Sequence, residues 1–194
     1  MHIKTLVAAL GLAFATVAAS AGSLSTSDGT GNSGRQGMYF DLTAGSSAVT
    51  LDSFTVNGVA GNWSIWYKTG TYAGFETDQS AWTQLGSGTT SQTIDTLAIG
   101  GLTIGAGQTD ALYVFDSSGY QRYDDGIATF SNADLTFNGG TGNYGFFDNT
   151  LADRNWSGTV NYSLTAAVPE ASELSLMLAG LGLLGVAARR RRQA

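Results

Sequence analysis

The chain has 194 residues, a formal net charge of −6 at pH 7, no cysteine and a single histidine, His2. Residues 22–167, which lie between two terminal signals predicted below, contain four basic and 13 acidic residues. The resulting net charge of −9 disfavours nucleic acid as a partner. The same stretch lacks His and Cys, which excludes disulfides, thiolate or histidine metal sites and Ser-His or Cys-His catalysis. The composition therefore favours a non-enzymatic domain.

The N-terminus has the features of a secretory signal peptide. A basic start precedes an apolar run from Leu6 to Val17, and Ala19 and Ala21 supply the small residues that signal peptidase requires before its cut. Residues 1–21 are therefore predicted to be removed, with Gly22 as the mature N-terminus. An uncleaved N-terminal anchor is the alternative, but it would need a longer apolar run.

Residues 22–36 are rich in Gly, Ser, Thr and Asn and are predicted to be a flexible lead-in. In residues 37–167, short aromatic and β-branched runs alternate with Gly, Asn, Asp and Ser clusters, as in all-β proteins. The pattern predicts an antiparallel two-sheet β-sandwich, jelly-roll-like, between a signal peptide and a C-terminal transmembrane helix. The predicted strands are Gly37–Thr43, Val49–Asn57, Trp63–Lys68, Trp82–Leu85, Thr89–Ile94, Leu97–Ile99, Ala111–Asp116, Tyr120–Tyr123, Ala128–Ser131, Asp134–Asn138 and Asn155–Leu164.

Three features refine this prediction. In the last strand, Trp156, Val160 and Tyr162 alternate with polar residues, and the glycine at 158 indicates a bulge or a close approach. Long loops are expected at Thr69–Ala81 and Gly139–Arg154. Dipeptides that tolerate positive φ predict tight hairpins at three places: Asn57-Gly58, Asp125-Gly126 and Asn138-Gly139.

Aromatic side chains form the candidate ligand site. Trp63 and Tyr67 should share one face of a strand with Ile65, whereas Trp66 lies on the other face and is the best candidate for stacking on a sugar ring. Trp82, expected at a loop edge, is a secondary candidate. The alternative is that these rings belong to the core or form cross-strand pairs.

Acidic side chains allow two further interpretations. Two clusters could supply oxygen ligands to a structural calcium ion, although neither has the spacing of a calcium loop and solvated turns explain them as well. Their members are Asp116, Asp124 and Asp125 in one, and Asp148, Asn149 and Asp153 in the other. No other cofactor or metal is predicted. A glycoside hydrolase needs two positioned carboxylates, and Glu76 is the only glutamate in the domain.

The C-terminal tail, residues 168–194, has three parts. A polar spacer at 168–172 contains the only proline, an uncharged apolar stretch follows at 174–188, and four arginines come next. As a helix the apolar stretch would be about 22 Å long, a marginal membrane span. The arginines should stop transfer and remain cytoplasmic; they are Arg189, Arg190, Arg191 and Arg192. A buried terminal helix of a soluble domain is the alternative.

This tripartite tail resembles the PEP-CTERM sorting signal of Gram-negative bacteria. Val168, Pro169 and Glu170 carry the match, while Ala171 replaces the second proline of that signal. The resemblance implies export through the Sec translocon, removal of the leader by signal peptidase, temporary anchoring in the inner membrane facing the periplasm, and processing by an exosortase. The final location would then be the cell surface or the extracellular matrix.

Together these features predict a cell-envelope or extracellular-matrix protein, associated with biofilm or exopolysaccharide, whose β-sandwich is structural or adhesive. The alternative is a carbohydrate-binding module for a matrix polysaccharide. A glycoside hydrolase is a third possibility with less support, because no distinctive pair of carboxylates stands out in the sequence.

Overall fold

The computed structural model describes residues 20–27, 31–91 and 94–164. Within these ranges the chain forms thirteen β-strands and one 3₁₀ helix, Gln79–Ala81, with no α-helix. The strands are β1 Ala21–Ser25, β2 Asn32–Arg35, β3 Gly37–Ala44, β4 Val49–Asn57, β5 Gly61–Thr69, β6 Thr83–Thr90, β7 Ile94–Ile104, β8 Thr109–Asp116, β9 Gln121–Asp125, β10 Thr129–Ser131, β11 Leu135–Asn143, β12 Thr150–Trp156 and β13 Gly158–Leu164.

Both predicted terminal signals lie almost entirely outside the described residues. The structure describes only Ser20 and Ala21 of the predicted leader, and the sorting tail from 168 onward is outside it. In the ranges that are described, no helix is long and apolar enough to cross a membrane.

The strands form two sheets. The smaller has four strands in the order β1-β13-β4-β7, and the larger has the order β2-β9-β12-β11-β3-β8-β5-β6, with β10 paired to β11. All pairings between these strands are antiparallel. The prediction of an all-β fold with two antiparallel sheets is therefore confirmed.

Apolar side chains from both sheets meet in the core. The ring of Phe40 in the larger sheet lies 5.2 Å from Trp156, and Phe54 of the smaller sheet meets the edge of the same indole at 5.8 Å. All three side chains are fully buried. Burying a large aromatic side chain stabilises the fold by about 2–3 kcal/mol, so these contacts hold the two sheets together.

The predicted strand Val49–Asn57 has the observed bounds of β4, and most of the other predicted strands differ at their ends. The three short strands predicted between residues 82 and 99 are wrong, because this stretch forms β6 and an eleven-residue β7. Composition concealed this continuity, since the glycines of β6 and β7 have low strand propensity but still contribute backbone hydrogen bonds.

The predicted single strand Asn155–Leu164 is also wrong. It breaks at Ser157, so that Trp156 ends β12 in the larger sheet and Gly158 begins β13 in the smaller one. The close approach predicted at the glycine is confirmed, because a Cβ on Gly158 would collide with the Trp156 ring and would lie 2.7 Å from the carbonyl oxygen of Thr55. The predicted loop Gly139–Arg154 is mostly the end of β11 and the start of β12.

The flexible lead-in predicted for residues 22–36 needs correction. Residues 21–25 pair with β13, and residues 32–35 pair with β9, so both segments are edge strands. Thr26 is fully buried, and its hydroxyl donates to the carbonyl oxygens of Trp156 and Gly158. Backbone pairing, which needs no apolar side chains, therefore orders residues 21–25 and 32–35, whose composition alone favours flexibility.

One of the three predicted hairpin dipeptides behaves as a turn with positive φ. Gly126 has φ of 95°, directly after β9. Asn57-Gly58 instead connects strands of different sheets, and Asn138-Gly139 lies inside β11, where the register with β3 shifts. All three hairpin predictions are wrong: β9 does not pair with β10, β4 does not pair with β5, and Asn138-Gly139 lies within one strand.

Candidate functional site

Alternation along β5 places its aromatic residues on two faces. Trp63, Ile65 and Tyr67 face the core between the sheets, as the sequence predicts. Trp63 is 2% exposed, and its Nε1 donates to Oγ1 of Thr90 at 2.9 Å. Trp63 therefore offers no free ring face to a ligand, and its assignment as a binding residue is corrected to a core role. Tyr67 packs partly buried against the same core.

The opposite face of the larger sheet carries a second buried group of side chains, here named the outer cluster. Tyr39 on β3 and Tyr113 on β8 are cross-strand neighbours whose rings stack 4.1 Å apart at 8°. The buried members of the cluster are Tyr39, Trp82, Ala111, Tyr113 and Phe147. The segments after β5 and after β11 provide Trp82 and Phe147, so two connections fold over this face of the sheet.

Hydrogen bonds fix these two connections to the outer cluster. Nδ2 of the fully buried Asn143 donates to the hydroxyls of Tyr39 and Tyr113, at 3.1 and 3.0 Å. The Tyr39 hydroxyl donates to the carbonyl oxygen of Glu76, and the Phe147 N–H donates to the Tyr113 hydroxyl at 3.3 Å. Burial is the main cause that raises the pKa of both phenols, so they remain neutral hydrogen-bonding groups.

Trp82 belongs to this buried group, not to an open loop edge. It is 6% exposed, and its Nε1 donates to the carbonyl oxygen of Phe75 at 2.9 Å. Its ring lies 5.6 Å from Tyr39 and 6.1 Å from Tyr113. The prediction of Trp82 as a ligand-contacting residue is therefore corrected: Trp82 lies at the end of the β5–β6 connection and anchors that connection onto the sheet.

Trp66 lies on the outer face, as predicted, and is only half-buried. Its ring centroid is 5.5 Å from that of Phe146, which is 41% exposed and itself 5.0 Å from Phe115. Trp66, Phe146 and Phe115 are here named the ring surface. Of the four predicted ligand residues, Trp66 is the one with a side chain next to exposed aromatic area.

Sequence reasoning missed Phe146 because it falls in a stretch predicted to be a loop. The available signal was the dense aromatic sequence of Tyr144, Phe146 and Phe147, which is unusual for a solvated connection. In the structure this segment lies against the strands that carry Tyr113 and Trp66.

The acidic clusters do not converge on one point. Across the described ranges, no three His, Cys, Asp or Glu side chains are grouped so that they could hold a metal ion. Buried Asp116 accepts from the N–H and hydroxyl of Ser118, and Asp148 accepts from the N–H of Asn149 at 2.8 Å. The bonds of Asp116 are typical of an Asx turn, the alternative interpretation given above, whereas Asp148 accepts from the adjacent residue.

A shallow cavity of about 100 Å³ lies beside β4, β7 and β13, with Thr55, Ile94 and Gly158 in its lining. Pockets for drug-sized ligands usually enclose about 300–1,000 Å³, so this cavity is too small to be a binding pocket for a polysaccharide segment.

Comparison with known proteins identifies the tail. No curated protein matches the chain. Residues 167–192 match the family model described as the PEP-CTERM protein-sorting motif, which covers the predicted spacer, apolar stretch and arginines. The match begins soon after β13 ends at Leu164. The chain thus carries a PEP-CTERM sorting signal directly behind its β-sandwich and is consistent with an exosortase substrate.

Proposed function

We propose that this protein is a non-enzymatic structural or adhesive component of the cell envelope or extracellular matrix. It is exported through the Sec translocon, held by its tail in the inner membrane facing the periplasm, and then processed by an exosortase for the cell surface or the matrix. The observation that carries the proposal is the sorting motif at residues 167–192. An association with biofilm or exopolysaccharide is part of the same proposal.

The chemistry of the described domain supports a non-enzymatic role. Buried Asp116 closes a turn, Asp125 forms an ion pair with Arg154, and the Glu76 carboxylate accepts from the N–H of Gly74 at 2.9 Å. These carboxylates already have local structural partners, whereas a glycoside hydrolase needs two that face a common sugar. The hydrolase alternative therefore has less support, and an activity screen with matrix polysaccharides would test it.

The sorting step is tested by changing the motif. Substituting both Pro169 and Glu170 by alanine should leave the protein in the inner membrane, whereas the unchanged chain should be found outside it. Ser172→Ala is a matched control within the same spacer and should behave like the unchanged chain. Equal distribution of the double variant and the unchanged chain between these fractions would contradict the proposal.

A second candidate function is carbohydrate binding through the ring surface. Half-buried Trp66 beside Phe146 offers the aromatic area that stacks on sugar rings. Lys68 lies two residues after Trp66 on β5. Binding of the full chain to a glycan array should be lost in Trp66→Ala. Tyr120→Ala removes another exposed ring, in the turn after β8, and should retain binding. Equal loss in both variants would contradict a site at Trp66.

Two finer predictions accompany this proposal. The jelly-roll-like winding of the strands and a structural calcium ion both remain predictions. Addition of calcium to chelator-treated protein would raise the melting temperature if such a site exists.

A further inference from the structure

Arg35, at the end of β2, has an unusual environment. Its side chain is 8% exposed, and its guanidinium carbon lies 4.8 Å from the centroid of the Tyr123 ring and 4.3 Å from that of Tyr144. Cation–π contacts of this kind stabilise a guanidinium. Burying a charge without an ionic partner is nevertheless destabilising, and the two rings offset only part of that cost.

Arg35 has no acidic partner among the residues that the structure describes. Nη1 donates to the carbonyl oxygen of Gly34 at 3.1 Å, whereas the buried Nε has no hydrogen-bond acceptor in the described ranges. Acidic residues outnumber basic ones by 13 to four in this domain, so carboxylates are not scarce. Because Nε is itself buried, the donor capacity that an external acceptor could use lies on the terminal Nη groups of the guanidinium.

A second arginine lies beside the first. A Cβ on Gly142 would lie 3.3 Å from Cδ of Arg35 and 3.4 Å from Cγ of Arg154, so the missing side chain makes room for both stems. The guanidinium carbon of Arg154 is 5.5 Å from the centroid of Tyr123. Arg154 forms an ion pair with Asp125, Nε to Oδ1 at 3.1 Å. Two guanidinium groups thus lie at Tyr123, and of the two only that of Arg154 has a carboxylate partner in the described ranges.

We infer that Arg35, together with Arg154 and the rings of Tyr123 and Tyr144, binds the carboxylate of an acidic sugar in a polysaccharide. A guanidinium presents a planar fork of N–H donors that matches a carboxylate. Tyr144 is 58% exposed, so its ring can contact a sugar attached to that carboxylate. The inference rests on the proposed function for the choice of a polymer as ligand. It is independent of the ring surface at Trp66.

The positive charges of Arg35 and Arg154 make their surroundings the place on this acidic domain where an acidic polymer binds. The rest of the domain is negative and repels such a polymer, but at physiological salt this repulsion is screened beyond about 8 Å. A cation pair at one position therefore selects the orientation in which the polymer approaches.

The test measures binding of oligogalacturonate to the full chain in detergent micelles. We expect the Arg35 Nε–Hε resonance to shift on titration, and Arg35→Gln to weaken binding about tenfold or more, because a charge-assisted hydrogen-bond pair is lost. Arg35→Lys keeps the charge but not the fork and should also weaken binding. Arg122→Gln removes one positive charge from the neighbouring strand β9 and should bind like the unchanged chain.

Three results would overturn the inference: unchanged affinity in Arg35→Gln, equal binding of a neutral malto-oligosaccharide, or equal affinity for free acetate. If Arg35→Gln does not fold, Tyr144→Leu decides, since loss of the exposed ring should weaken oligogalacturonate but not acetate. Failure of binding leaves the cellular fractions unchanged, so it is distinguishable from failure of the sorting proposal.

Discussion

The backbone N–H of Leu164 donates a hydrogen bond of 2.8 Å to the carbonyl oxygen of Ser20. β1 continues this pairing along β13 from Ala21 to Ser25. Cleavage after Ala21 would remove the Ser20 carbonyl but keep four of the paired residues. The new N-terminal strand would then stay bound to the strand that leads into the sorting tail.

The packing of β1 against Tyr162 of β13 depends on the absence of a side chain at Gly22. A Cβ at this position would lie 2.5 Å from Cζ of Tyr162, a buried side chain whose hydroxyl accepts from Asn132 at 2.8 Å. We expect Gly22→Val to displace the ring or the strand and to lower the free energy of unfolding by about 1–3 kcal/mol. Denaturant unfolding of the full chain in micelles checks this. Ser23→Ala, on an exposed neighbour, should change stability little; equal effects would contradict the account.

The outer cluster should depend on its phenol hydroxyls. Tyr113→Phe keeps the stacked ring but removes a partner of Asn143 and of the Phe147 N–H, so we expect a loss of about 1–3 kcal/mol in the free energy of unfolding. The same substitution at exposed Tyr120 is the matched control and should have little effect. Faster amide exchange at Phe147 in Tyr113→Phe would support the assigned role, and wild-type exchange would contradict it.

Trp63 and Trp66 are close in sequence but should differ in their effect on stability. Trp63→Ala removes a core side chain that is 2% exposed and should cost about 3–5 kcal/mol. Trp66→Ala removes a half-buried ring and should cost clearly less, because part of it already contacts solvent. Thermal and denaturant melts of both variants measure the difference. A larger loss in Trp66→Ala would reverse the assignment of the two faces.

Stability should rise as the pH falls from neutral towards about pH 4. Burial raises the pKa of Asp116, although hydrogen bonds from Ser118 oppose this, and burial likewise raises the pKa of Asp41 and Asp110. A raised folded-state pKa gives stability that is complete below the unfolded value of about 3.9 and is lost as pH rises through the folded value.

Melting temperatures measured between about pH 4 and pH 7 test this dependence. Asp116→Asn, which keeps one acceptor oxygen for Ser118, should make the slope shallower. A melting temperature that rises steadily with pH over this range would contradict the assigned direction of the pKa shifts.

The sequence was most informative where a signal is local. The tail could be read directly, because the spacer, apolar stretch and arginines form one linear pattern that the comparison confirms. β4 was equally clear, because its alternation of buried and exposed residues matches a strand with one buried face.

Elements that depend on distant partners could not be predicted in this way. The alternation around Trp156 continues into β13, and nothing local shows that residue 156 pairs with Tyr123 in the other sheet. Trp82 looked exposed because its partners, Tyr39 and Tyr113, are far away in sequence. Arg35 was one of four basic residues in the domain, but its position between two tyrosine rings required the structure.

Intact-mass and C-terminal peptide mass spectrometry of the native protein, from separate inner-membrane, outer-surface and medium fractions, tests the central claim most directly. The account predicts a species that begins at Gly22, ends near Glu170 and occurs outside the inner membrane. A chain that retains Arg189 to Arg192 in every fraction would contradict exosortase processing of this protein.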